Sequence, residues 1–220
     1  MNGTLIIPDI HDRIDQLKKI DRQFGHHLPR IYLGDWTDSF RQTAENRDAT
    51  LRYLADELDT PNRTFLWGNH DWHYSSGRKF TCSGYKHETY EAIQELLPPD
   101  WESKFTTHHE EAGWLLSHAG FNQPPSSFSF DDLVHQVGTC RGGNSLEGGP
   151  LWLDWNKEFR GLLSDQPQIV GHTTMPGVSF KHGSVCLDTG LQYVGHLMGD
   201  GELQIHTIHA VIGKTKGRAK

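Results

Sequence analysis

Three short apolar runs early in the chain stop at the same kind of place. Leu5-Ile6-Ile7 leads into Pro8-Asp9-Ile10-His11, Ile31-Tyr32-Leu33 into Gly34-Asp35-Trp36-Thr37-Asp38, and Phe65-Leu66-Trp67 into Gly68-Asn69-His70-Asp71. An apolar run of this length closed by a turn residue reads as a buried strand. Each strand therefore presents Asp, Asn or His at its carboxyl end, where open α/β sheets bind their ligands. Between them lie segments with helical spacing. Asp12 is expected to cap a helix over residues 13–25, with Ile14, Leu17, Ile20 and Phe24 on one face, and a longer helix is expected over 40–58. Strand, helix, strand, helix, strand is the pattern of a parallel sheet.

The remainder predicts a loop over 72–87 that covers a site, a helix over 87–97, and strands over 104–109 and 114–117, the second delivering His118. Residues 121–130 read as a loop and 131–137 as a short helix. Gln168–Val170 ends at Gly171-His172, and Val185–Leu187 ends at Asp188. Residues 194–198 and 203–208 read as a closing hairpin. A single domain over 1–212 is expected, with a flexible tail over 213–220.

Composition narrows the function classes. The chain has 220 residues, 35% hydrophobic and 22% charged, which is globular composition. A net charge of −7 argues against a general nucleic-acid or membrane-surface binder. The 3 cysteines include no CxxC pair, so neither a disulfide framework nor a cysteine zinc site is expected. No apolar run approaches the ~20 residues of a membrane span, and no leader pattern precedes the first strand. A cytoplasmic location is expected. The 15 histidines shift the balance toward metal chemistry.

Asp9, His11, Asp35, Asn69, His118 and His172 each follow a predicted strand closely. One such residue is usually a helix cap; six at matching positions suit a pair of metal ions, which need carboxylates to neutralise and bridge and imidazoles for affinity. In order and spacing, the blocks Asp9-Ile10-His11, Gly34-Asp35-Trp36-Thr37-Asp38, Gly68-Asn69-His70-Asp71, His118-Ala119-Gly120 and Gly171-His172-Thr173 resemble those of the calcineurin-like metallophosphoesterase superfamily. Gly171-His172-Thr173 and Asp188-Thr189-Gly190 are most similar to its branch of phosphoprotein phosphatases and symmetrical diadenosine tetraphosphatases.

The resemblance implies an α/β, four-layer sandwich of two mixed β-sheets flanked by helices. It implies that Asp9 and His11 hold one divalent ion, that Asn69, His118 and His172 hold a second, and that Asp35 bridges them. His70, oriented by Asp38, would protonate the leaving oxygen while a hydroxide held between the ions attacks phosphorus in line. Mn²⁺ is the first expectation, with Fe or Zn²⁺ also suited to such a donor set. The implied substrate is a phosphomonoester, on a protein or small molecule, or a dinucleoside polyphosphate. A phosphodiesterase or nuclease activity and a non-catalytic metal- or phosphate-binding module are the alternatives.

One departure bears on the substrate. Ser39-Phe40 stand where the phosphatase branch carries an Arg that grips phosphate. Arg141, between Cys140 and two glycines, is the first candidate to replace it and Arg13 the second. Trp152 and Trp155 read as core residues, or as ring partners for a nucleotide.

Overall fold

The structure is a computed structural model that describes residues 3–41, 43–162 and 164–208. The expected tail over 213–220, the last residues of the expected domain and His209 lie outside the described residues. In chain order the elements are β1 (Thr4–Ile7), α1 (Ile14–Phe24), β2 (Arg30–Tyr32), α2 (Ala44–Leu58), β3 (Arg63–Leu66), α3 (Asn69–Trp72), α4 (His87–Leu96), β4 (Phe105–Thr106), β5 (His108–Glu111), β6 (Trp114–Ser117), α5 (Phe130–His135), β7 (Gln168–Val170), β8 (Ser179–Lys181), β9 (Ser184–Cys186), β10 (Tyr193–Leu197) and β11 (Leu203–Thr207).

The strands form two mixed sheets. One runs β11-β10-β1-β2-β3-β4 and the other β5-β6-β7-β9-β8. In the first, β1, β2, β3 and β4 are parallel, and the β10–β11 hairpin adds antiparallel to β1. In the second, β6, β7 and β9 are parallel and the edges antiparallel. Ile6, Ile31, Leu66 and Leu197 of one sheet meet Leu116, Ile169 and Val185 of the other in an apolar layer. Alternate residues Leu5, Ile7, Tyr32 and Phe65 point the other way, onto Ile14, Leu17, Ile20 and Phe24 of α1 and Leu51, Leu54 and Leu58 of α2. On the outer face of the second sheet, Leu153, Trp155 and Phe159, on a run of turns, bury Val170 and Cys186.

Register aligns the strand ends. Ile7, Tyr32 and Phe65 stand level across the first sheet, and Leu116, Ile169 and Val185 across the second. The loops that leave these strands therefore emerge together on one rim of the sandwich.

Three boundaries differ from expectation. Asp12 does not cap α1; Arg13 holds the cap position, and the Asp12 carboxylate instead accepts the Ser39 N–H at 2.9 Å. The second helix begins only at Ala44, because Thr43 accepts the Asn46 N–H and fixes the first turn there. The strand expected over 104–109 is two strands. Phe105 pairs with Phe65 in the first sheet, and His108 pairs with Ser117 in the second, so the chain changes sheets at Thr107.

Candidate metal centre

Every ligand candidate named from the sequence lies on this rim. Asp9 and His11 follow β1, Asp35 follows β2, Asn69 opens α3 after β3, His118 follows β6 and His172 follows β7. Asp35 is the hub. Its Oδ2 lies 3.5 Å from His11 Nε2 and 3.4 Å from His118 Nε2. His118 Nε2 is also 3.0 Å from Asn69 Oδ1 and 3.2 Å from His172 Nδ1. Two donors bound to one ion at about 2.0–2.2 Å with angles of 90–109° stand roughly 3.0–3.5 Å apart. The observed separations have that spacing.

Donor chemistry points the same way. His11 Nδ1 donates to the Thr37 carbonyl at 2.8 Å, and His118 Nδ1 to the Leu33 carbonyl at 2.8 Å. In each neutral ring this leaves the Nε2 lone pair facing other acceptors, which repel unless a cation sits among them. The Asp9 Oδ2 oxygen is buried with no hydrogen-bond partner, a second sign that a cation belongs here. Donor atoms of Asp9, His11 and Asp35 lie within 4.8 Å of one another, as do those of Asp35, His118 and His172.

The backbone is bent to make this arrangement. His11, Asp12, Asp35, Asp38 and His172 all adopt φ between 46° and 69°. Left-handed conformations at side-chain-bearing residues cost on the order of 1–3 kcal/mol each and persist where the surroundings impose them. Two glycines let the backbone come close enough. A Cβ at Gly68 would lie 2.2 Å from Asp35 Oδ1, and one at Gly171 2.0 Å from Asp9 Oδ2. Asp71 ties two of the loops together. Its carboxylate accepts the N–H groups of Asp35 at 2.7 Å, Trp36 at 2.8 Å and Gly68 at 3.1 Å. Burial, and then the nearby Asp35, push Asp71 up to about 7.

The electrostatics are those of a packed, buried cluster. Burial pushes Asp9 well above the usual carboxylate range, with Asp188 adding to it. At Asp35, burial is outweighed by His118 and His70, and the carboxyl is held well below that range. Burial works against charging His118, but the Asp35 carboxylate prevails and raises the ring to about 9. Burial, His118 and Arg141 hold His172 far below the ordinary histidine value.

Beside this cluster stands a second one built on Asp38. Its Oδ2 is 3.1 Å from His70 Nδ1 and 2.6 Å from His73 Nε2, and its Oδ1 accepts the Tyr74 hydroxyl at 2.6 Å. Burial opposes charge on His70, but Asp35 and the Asp38 hydrogen bond raise it well above the usual value. The His70 and Asp38 side chains thus stand in direct contact. His73 and Cys82 were not anticipated. His73 lies three residues past His70 on a helical turn, a spacing that puts both rings on one face. Cys82, on the covering loop, has no local signal; its Sγ lies 2.9 Å from His73 Nδ1 and 3.6 Å from Asn69 Nδ2. Burial would raise the thiol, yet His70 and His73 bring it down to about 7. That 2.9 Å contact is shorter than the roughly 3.5 Å between N and S ligands of one zinc ion, so it is a hydrogen bond.

The two arginine candidates differ. The Arg141 Nη2 group donates to Thr173 Oγ1 at 3.0 Å and pairs with Asp154 Oδ2 at 3.0 Å, close enough to depress His172. The Arg13 Nη1 group donates to the Ile10 carbonyl at 3.1 Å. Trp36 packs on Tyr32 and Phe65 in the core. Trp155 is also core, stacked on Phe159, and Trp152, likewise buried in the core, meets His172 edge-on at 6.3 Å. Asp188 orders a turn by accepting the Thr174 hydroxyl and the Gly190 N–H.

The profile of the calcineurin-like phosphoesterase family matches residues 4–200, nearly the whole described chain. The chain belongs to that family. It is therefore a metal-dependent phosphoesterase, a hydrolase. The phosphoesterase is 24% identical over 232 residues to an asymmetrical bis(5'-nucleosyl)-tetraphosphatase PrpE of Bacillus mycoides (strain KBAB4), with 92% of each chain covered. It is 25% identical to the protein of that name from Bacillus cereus (strain AH187), covering 88% of each. Those relatives are asymmetrical, whereas the motif endings resembled the symmetrical enzymes. In fold, the phosphoesterase is similar to a protein serine/threonine phosphatase from Saccharomyces cerevisiae with similarity to human phosphatase PP5 (TM-score 0.60, 17% identity, 97% of this chain and 81% of the other). A metallophosphoesterase from Sphaerobacter thermophilus is also similar (TM-score 0.51, 14% identity, 94% and 88% covered). Among the described residues no helix is long and apolar enough to cross a membrane.

Proposed function

We propose that this phosphoesterase cleaves dinucleoside polyphosphates at a centre of two divalent metal ions. The observation that carries the two-ion reading is that Asp35 belongs to both donor groups, one with Asp9 and His11, the other with His118 and His172. Asp9 and His11 would hold one ion and Asn69, His118 and His172 the other, with Asp35 shared. Mn²⁺, Fe and Zn²⁺ all suit this mix of carboxylate, imidazole and amide. Bound there, such ions polarise phosphoryl oxygens and lower the pKa of water so that it can act as a nucleophile near neutral pH.

The chain's own residues supply the rest. Asp38 fixes the His70 ring through Nδ1 and, with Asp35, favours its protonated form. His70 would then meet the charge that develops on the leaving oxygen. Arg141, held by Asp154 and Thr173, is set to bind a phosphate oxygen in place of the arginine absent after Asp38. The substrate class is supported by the PrpE relatives, which align over nearly their full length.

Metal analysis and turnover test this together. Purified enzyme should carry about two metal equivalents per chain and split diadenosine tetraphosphate, asymmetrically if it follows its relatives, to ATP and AMP. Asp35→Asn should lose metal and slow turnover by at least about 10²-fold. Full activity with a single equivalent would refute the two-ion reading, and no cleavage of the dinucleotide would refute the substrate.

A further inference from the structure

Exposed aromatic rings on a protein this size call for an account. Phe80 is 40% exposed and Phe130 61% exposed, and both belong to one aromatic ridge that begins at the metal centre. Trp152 meets the His172 ring at 6.3 Å, and Phe80 lies on Trp152 at 5.9 Å, so Phe80 is within about 12 Å of a candidate metal ligand. Phe80 also packs on His135 at 5.8 Å. The ring is not on a loose loop tip. His135 Nδ1 donates to Asp131 Oδ1 at 3.0 Å, Trp72 Nε1 donates to His135 Nε2 at 3.0 Å, and Lys79 pairs with Asp131. Two residues beyond Phe80, Cys82 touches His70 and Asn69. The ridge therefore reaches the His172 side of the centre through Trp152, and the chain just past Phe80 reaches the His70 side through Cys82.

We propose that Phe80, backed by Trp152, is the stacking platform for a purine base of the substrate. This rests on the dinucleoside polyphosphate reading above. A flat, apolar, half-exposed ring beside a phosphate-binding centre suits a ligand with a phosphate at one end and an aromatic base at the other. Base–aromatic stacking tolerates any base, so the platform selects nucleotides over ring-free phosphates and not one nucleotide over another. Phe180, 69% exposed on β8, has no aromatic ring contact among the described residues and serves as the control.

The test compares kcat/KM for diadenosine tetraphosphate and for inorganic tripolyphosphate. In Phe80→Ala the preference for the dinucleotide should fall about tenfold, through KM, with Phe80→Tyr retaining it and Phe180→Ala leaving it as it was. AMP affinity, measured by calorimetry on the same proteins, should fall by a similar factor in Phe80→Ala alone. An unchanged preference together with unchanged AMP affinity overturns the platform. A wild-type enzyme that ignores diadenosine tetraphosphate overturns the substrate reading instead. In that case AMP affinity still decides: weakened binding in Phe80→Ala upholds the platform, and equal binding refutes it.

Discussion

A carboxylate that accepts an imidazole and a phenol and has a second imidazole 2.6 Å away has little freedom left to move, and Asp38 is held in this way by His70, Tyr74 and His73. Its charge is stabilised in turn: burial would raise it, and these three contacts keep it below the usual range. Asp35 first, and then this Asp38 contact, keep His70 protonated above the pH at which an ordinary histidine would lose its proton. His70→Gln should accordingly cost about 10²–10⁴ in kcat on an alkyl phosphate, whose alkoxide needs the proton. The cost should be much smaller on a polyphosphate, whose leaving group is already a weak base. Equal losses on both substrates would mean His70 acts otherwise. Asp38→Asn weakens one of the two carboxylate contacts that raise His70 and leaves the other, Asp35, in place, so the basic limb of the kcat profile should move part of the way to lower pH. A limb that stays in place or moves up contradicts the pairing. At this scale the sequence was informative wherever chemistry sits next to a strand end, since Asp9, Asp35 and His118 are displayed by local chain geometry. His73 and Cys82 were not visible, because what recruits them to Asp38 and His70 is the path of a loop, which no local pattern encodes.

The strands and helices carry a different load. Arg30 and Arg63, the first residues of β2 and β3, lie at the opposite end of the sheet from the metal centre. There the fully buried Glu57 of α2 meets Arg63 Nε at 2.6 Å, accepts the Tyr32 hydroxyl and pairs with His26. Arg30 pairs with Asp21 of α1 at 2.7 Å and donates to Tyr53 at 2.8 Å. This network locks both helices to the parallel strands. Truncating one partner leaves buried charge uncompensated, so Glu57→Ala should destabilise by about 3–5 kcal/mol, a Tm loss of order 10 °C for a chain of this length. Because the network is remote from the rim, kcat below the melting range should change little. A large kcat loss with no change in Tm would contradict this division of labour. The parallel strands and their helices were legible because continuous apolar runs and 3–4 residue spacing are local signals. The change of sheet at Thr107 was not. Lys104 to His109 reads as one strand with no turn residue in it, and only its two sets of partners, Phe65 and Ser117, break it in two. The irregular cover of the second sheet was hidden likewise: Leu153, Trp155 and Phe159 are apolar without period, and burial alone does not choose a conformation for them.

For the molecule as a whole, the two sheets meet where their donors are mutually repulsive, and something must offset that. In the metal-free protein a proton does: Asp35 raises His118 to about 9, above the ordinary 6.5. Because the folded value is the higher one, this protonated pair stabilises the fold fully below about pH 6.5, and its contribution is lost as the pH rises through about 9. Metal binding requires His118 Nε2 without its proton, so affinity runs the other way and grows over the same interval. The gap in Tm between metal-loaded and chelator-stripped protein should therefore widen from pH 6.5 to 9. At a free metal concentration of about 100 Kd the stabilisation is about 2.7 kcal/mol, or roughly 5–10 °C at this length. Calorimetry of metal binding near pH 7.5, in buffers of different ionisation enthalpy, should show proton release on uptake. A gap that is flat or narrows with pH, or uptake without proton release, would mean that His118 does not exchange its proton for an ion, and that the rim is held together in some other way.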